Sequence, residues 1–149
     1  EQIIKGIYKL ERVENDKSKL NVQLMGSGTI LNEVRKAAQI LCEDYNVSSD
    51  VYSVTSFNEL AREGQDVARW NMLNPEAEQK VPYIGQVITK DAGPAISATD
   101  YVKNYSDQVR AFIETEYRCL GTDGFGRSDS RENLRTHFEV NASYIVVVK

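Results

Sequence analysis

Three times along this chain a short apolar or β-branched run passes through a brief turn into a segment whose apolar residues recur at helical spacing. Residues 20–25 (LNVQLM) run into Gly26-Ser27-Gly28, after which Ile30, Val34, Ala37, Ala38, Leu41 and Tyr45 mark one helical face. Residues 50–55 (DVYSVT) lead into a helix expected over 58–70 and interrupted near Gly64, and residues 94–98 lead into Val102, Tyr105, Val109, Phe112 and Ile113 at helical spacing. Parallel strands need a crossover of about a dozen residues and bury both faces, so repeated strand-helix units imply a sheet between helical layers. With strand candidates at 6–13 and 117–120, the count is five. The expected fold is α/β, mostly parallel and layered α/β/α.

The connections fit that order. Residues 14–19 (ENDKSK) are a polar link after the first strand, and the polar stretch between Pro75 and Pro82 reads as a surface loop after the second helix. Gly121 to Arg127 reads as a glycine-rich loop, with Ser128 or Asp129 as the N-cap of a further helix. Asp129 and Glu132 have capping-box spacing. By propensity, residues 145–148 read as strand. At 149 residues the chain has the size of one domain, 1–149, whose first 19 residues hold the first strand and its polar connection.

Composition excludes several classes. The longest apolar run, residues 144–148, is too short to span a bilayer, and the N-terminus carries no basic-then-apolar leader. A net charge of −4, with no segment joining Lys and Arg to aromatics, disfavours nucleic acid as a partner. Cys42 and Cys119 lie far apart without a CxxC and read as buried free thiols.

Candidate chemistry is sparse. Gly26-x-Gly28 at a strand-to-helix turn could hold a phosphate on backbone N–H groups, but Leu31 stands where a dinucleotide fingerprint needs its third glycine. Thr55 and Ser56 stand where it needs an acid, so a tight packing turn is the plainer reading. His137 is the only histidine, which rules out multi-histidine metal sites, and its place late in a helix suits a structural or capping role. Carboxylate pairs such as Glu43-Asp44 and Glu114/Glu116 fall in polar stretches that face solvent. Ser27, Ser53, Ser56 and Ser128 lie in no GxSxG elbow. The most distinctive segment is Gly121-Thr122-Asp123-Gly124-Phe125-Gly126-Arg127-Ser128. Its glycines allow close packing around Phe125, and Asp123 and Arg127 are candidates for a ligand site or for a contact with another domain or subunit.

YRCLGTDGFGRSDSRENLRTHFEV, together with SDVYSVTSFNELAREGQDVARWNML, GIYKLE, VQLMGSGTI and VPYIGQV, resembles the homodimeric, bacterial-type pyruvate dehydrogenase first components, over about residues 6–148. The resemblance implies the C-terminal domain of a longer enzyme, with the transketolase C-terminal fold: a five-stranded mixed sheet whose first strand is antiparallel. It implies a cytoplasmic parent that decarboxylates pyruvate with thiamine diphosphate and Mg²⁺ and reductively acetylates the lipoyl group of the next enzyme, a dihydrolipoyl acetyltransferase. The family's Gly-Asp-Gly and Asn-Asn cofactor motif does not occur here, so the resemblance carries over no catalytic, cofactor or metal residue. It also implies a helix beginning after Asn141 and further helix beyond YIVVV, which would leave residues 145–148 with an exposed apolar face. The leading expectation is a non-catalytic domain that completes a homodimer, with residues 121–128 packed on a neighbouring domain or subunit. The alternative is a small-anion-binding regulatory module using the Gly26–Gly28 turn or the 121–128 loop.

Overall fold

In a computed structural model, which describes residues 1–17 and 19–148, the strand-helix units assemble as one five-stranded sheet in the order β1-β3-β2-β4-β5. The strands are β1 (Ile7–Val13), β2 (Asn21–Gly26), β3 (Ser48–Val54), β4 (Ala95–Ala98) and β5 (Tyr117–Leu120). β1 pairs antiparallel with β3, Ile7 opposite Val54, and all other pairings are parallel. β1 is an edge strand whose register shifts between Lys9 and Glu11, and IYKLERV accordingly does not alternate strictly between apolar and polar residues. β3 is buried along its whole length and begins two residues before the expected Asp50, because Ser48 and Ser49 pair with Asn21 and Val22 of β2.

Each face of the sheet carries its own core. On one side α1 (Leu31–Tyr45) and α6 (Ala142–Val147) cover Val22, Leu24, Val51 and Ile96, with Ile30, Val34, Ala37, Leu41 and Ile145 filling the layer. On the other, α2 (Phe57–Leu73) and α3 (Tyr83–Val87) bring Phe57, Leu60 and Ile84 onto Met25, Tyr52, Val54 and Tyr117. At about 25 cal/mol per Å² of apolar surface removed from water, these two layers are the main favourable term in folding.

α2 is not interrupted at Gly64. The helix starts where the Ser56 hydroxyl accepts the Glu59 N–H at 3.1 Å and runs unbroken to Leu73. Gly64 is required by packing: a Cβ there would lie 2.4 Å from the Phe112 ring. The helix expected across 102–113 is instead split into α4 (Lys103–Asp107) and a 3-10 turn at Arg110–Phe112. Tyr117 explains the break, since its hydroxyl donates to the Ser106 carbonyl at 2.8 Å while its own carbonyl takes Arg110 Nη1 at 2.7 Å. The stretch after Pro75 is a surface loop as expected, but it ends in α3, which has no strong sequence signal.

Two further expectations near the C-terminus are corrected. α5 (Arg131–His137) is capped by Ser130, which accepts the Asn133 N–H at 3.2 Å, and not by Ser128 or Asp129. Asp129 instead accepts from Ser130 N and Asn133 Nδ2. Residues 142–147 form a helix capped by Asn141, as the family resemblance implies and against strand propensity. Its apolar side is covered, because Ile145 and Val146 pack on α1 and only Val147 is strongly exposed, at 77%. No helix among the described residues is long and apolar enough to cross a membrane.

Candidate functional site

The order of the strands locates the site. From β2 the chain goes to β3 on one side and then crosses back to place β4 on the other, so the crossovers diverge where β2 meets β4. In open parallel sheets a crevice opens outside the carboxyl ends of the strands at such a point. Three segments converge there: the turn at residues 27–30, Thr99 and Asp100 after β4, and the 121–128 loop after β5.

Hydroxyls tie them together. Ser27 Oγ donates to Thr99 Oγ1 at 2.8 Å, Thr29 Oγ1 to Asp100 Oδ2 at 2.8 Å, and the Thr122 hydroxyl to the Asp100 carbonyl. The Thr122 N–H also reaches the Tyr101 carbonyl at 2.8 Å. A cleft of about 530 Å³ lies between these segments and α5, bounded by Thr29, Asp100, Gly126, Arg127, Leu134 and Phe138 among others. The two segments singled out by sequence are therefore neighbours.

The individual residues divide differently from expectation. Gly121 is buried, and a Cβ on it would stand 2.6 Å from the Tyr101 carbonyl oxygen and 2.8 Å from Lys103 N, so it permits β5 to pass close to the segment after β4. Asp123 is not brought to Arg127. It accepts the Lys103 N–H at 2.9 Å and faces the Lys103 ammonium at 3.8 Å, while Arg127 lines the cleft. Phe125 is not packed by the glycines around it and stands 94% exposed. Ser128 is exposed and does not cap α5. At the other turn, Gly26 has a packing reason, since a Cβ would lie 2.8 Å from Leu31 Cα, and the Ser27 N–H is taken by the Ala98 carbonyl at 3.3 Å. Neither observation favours a phosphate on that turn.

Sequence reading missed Glu33. It lies in the first turn of α1, 7% exposed, and three donors converge on it: Arg135 Nη1 at 3.0 Å and Lys36 Nζ at 3.1 Å on Oε1, and Ala142 N at 3.2 Å on Oε2. One carboxylate thus fastens α5 and the start of α6 to α1. The signal was its spacing, three residues after Ile30 and four before Ala37, which puts an acid on the apolar stripe.

The remaining titratable groups serve the body of the fold. Burial pushes the Tyr117 hydroxyl far above its usual range and keeps it a neutral donor to the Ser106 carbonyl, while the Ser97 hydroxyl donates to it at 2.9 Å. Burial also pushes Asp50 upward, but hydrogen bonds from Lys9, Arg12 and Asn21 outweigh it and hold the carboxyl below the ordinary aspartate value. His137 is exposed at the end of α5, its ring edge-on to Phe138. Cys42 and Cys119 are free but half-buried, not buried as expected, because Cys42 lies beside the apolar stripe of α1 and Cys119 on the edge strand β5. Among the described residues no group of three or more His, Cys, Asp or Glu is placed to hold a metal ion.

With this geometry the comparisons agree. The transketolase-like TK C-terminal domain family matches residues 6–141. The pyruvate dehydrogenase E1 component of Escherichia coli K12 is 64% identical over 148 residues, and that of Haemophilus influenzae is 61% identical over the same length. Each alignment covers 99% of this chain but 16% of the relative, so the chain spans about one-sixth of the curated proteins it matches. Among solved structures, transketolase from Campylobacter jejuni aligns over 97% of the chain and 18% of its own, with a TM-score of 0.62 and 19% identity. Transketolase from Leishmania mexicana aligns over 99% and 18%, with a TM-score of 0.61 and 17% identity. These two show the fold.

Proposed function

We propose that this chain, which belongs to the transketolase-like TK C-terminal domain family, is the C-terminal domain of a pyruvate dehydrogenase first component and supplies architecture to that enzyme. Identity of 61–64% across nearly the whole chain to proteins about six times longer carries the reading. In this reading the parent decarboxylates pyruvate and passes the acetyl unit to the lipoyl group of a dihydrolipoyl acetyltransferase, as a cytoplasmic homodimer dependent on thiamine diphosphate and Mg²⁺. The residues of this chain do not fit that cofactor. The motif's paired asparagines have no counterpart, and Asp123, the acid nearest in context to a Gly-Asp-Gly, is engaged by Lys103. No chemical step is therefore assigned to it.

The architectural role centres on the outer side of the 121–128 loop. Phe125 projects into solvent beside a segment that also exposes Tyr101 and Val102, and a large exposed aromatic in a conformationally committed loop suits a desolvated protein contact. Gly121, Asp123, Gly124, Gly126, Arg127 and Ser128 set the path of that loop or flank the contact. The test is sedimentation of the full-length protein carrying Phe125→Glu, together with calorimetry of residues 1–149. A shift toward monomer or a loosened domain, and no heat with thiamine diphosphate and Mg²⁺, are expected. Wild-type sedimentation, domain stability and activity of the variant, or saturable cofactor binding by residues 1–149, overturns the reading.

A further inference from the structure

The inner side of the same loop poses a separate question. Gly124 and Gly126 line the cleft, and a Cβ built on either meets nothing within 4 Å. Gly124 has a conformational reason, a φ of +95°. Gly126 is outside the positive-φ set and has no neighbour among the described residues that excludes a side chain. What a glycine then still offers is close approach of an outside group to the backbone.

The walls specify the chemistry of that group. Arg127 and Arg131 are exposed residues on the border of the cleft with no hydrogen bond or ion pair for either guanidinium among the described residues, whereas Arg135, one turn further along α5, is held by Glu33. Leu134, Phe138 and Val140 supply an apolar wall beside them. Asp100 and Asp129 also border the cleft, and each already accepts a donor from its own chain, Thr29 and Asn133 respectively.

We propose that this cleft binds a small organic phosphate, its anionic group between Arg127 and Arg131 and its apolar or aromatic body against Leu134 and Phe138. Planar guanidinium forks match phosphate oxygens bidentately. The two carboxylates balance the two unpaired guanidiniums, so a bare anion gains little from the summed charge and the apolar body must supply the rest. Placement at the crossover point of the sheet, where such folds present ligands, agrees with this.

The test is calorimetric titration of the full-length protein with phenyl phosphate, with inorganic phosphate and phenol as controls. Phenyl phosphate should bind saturably and at least about tenfold more tightly than either control, and Arg127→Gln with Arg131→Gln should weaken it about tenfold or more. Gly126→Val should abolish binding without moving the unfolding midpoint. No saturable binding, equal binding of inorganic phosphate, or an affinity unchanged in the double variant overturns the proposal. None of these outcomes bears on the architectural reading, whose readout is the sedimentation of Phe125→Glu.

Discussion

Gly64 and Gly126 are the same residue type in opposite situations. At Gly64 the missing side chain is filled from within, by the Phe112 ring, and the position belongs to the body of the fold. At Gly126 the space is filled by nothing among the described residues, and the position belongs to the rim. The same contrast runs through the charges: Asp50 and Glu33 each gather three donors, while Arg127 and Arg131 gather none among the described residues. Groups satisfied internally serve folding, and groups left open are the ones available to something else. Substitutions on the two sides should therefore separate stability from association.

The largest expected loss is in Glu33→Ala. It strands Arg135 and the Ala142 N–H together, and breaking a nearly buried pair from one side costs about 3 kcal/mol or more. Urea unfolding should show the midpoint fall, and hydrogen exchange should show α5 and α6 opening before the sheet. If their protection is unchanged, the clamp is not what holds them.

Gly64→Ala comes next. An alanine is worth about 1 kcal/mol in a helix interior, but a Cβ 2.4 Å from the Phe112 ring forces the ring or the helix to move, an overpacking cost of about 1–3 kcal/mol. Net destabilisation is expected, and Phe112→Leu in the same chain should relieve it in a double-mutant cycle. A stabilised Gly64→Ala would place Gly64 with the open glycines and break the comparison.

How much of this was legible beforehand follows the same division. The strand-helix alternation and the core face of α1 were close to the surface of the sequence, because Ile30, Val34, Ala37, Ala38 and Leu41 obey a period that backbone geometry imposes, whereas the order of the strands was not. Gly64 was misread because helix propensity is local while its cause, Phe112, lies 48 residues on. For residues 145–148 propensity alone pointed to strand and only the resemblance to helix, for the converse reason: β-branched side chains favour strands only weakly against a capped turn that buries Ile145 on α1. The 121–128 loop was recognised, but the direction of each side chain was not. Nothing in GTDGFGRS states that Phe125 points outward, that Asp123 turns to Lys103, or that Arg127 borders the cleft.

Asp50 gives a smaller effect, visible through pH. Its carboxyl is held below its ordinary value in the folded state, so its contribution is complete above the unfolded aspartate range and is lost as pH falls through the lower folded value. Unfolding free energy should therefore decline below about pH 4, and Asp50→Asn should flatten that decline while lowering stability at pH 7. A chain whose acid limb is unchanged by Asp50→Asn would show that the link between β1, β2 and β3 does not depend on this charge.

The smallest expected change is at the rim, and there it is the informative one. Phe125→Ala removes a ring that buries almost nothing in its own chain, and Gly126→Ala adds a methyl into open space, so neither should change the unfolding free energy by more than about 0.5 kcal/mol. Both substitutions should nevertheless be felt outside the chain, Phe125→Ala in the sedimentation of the full-length protein and Gly126→Ala in phenyl phosphate titration. A loss of stability comparable to Gly64→Ala would mean that the loop packs on its own domain after all. The distinction between inward-satisfied and outward-facing groups would then fail at the two residues that define it most sharply.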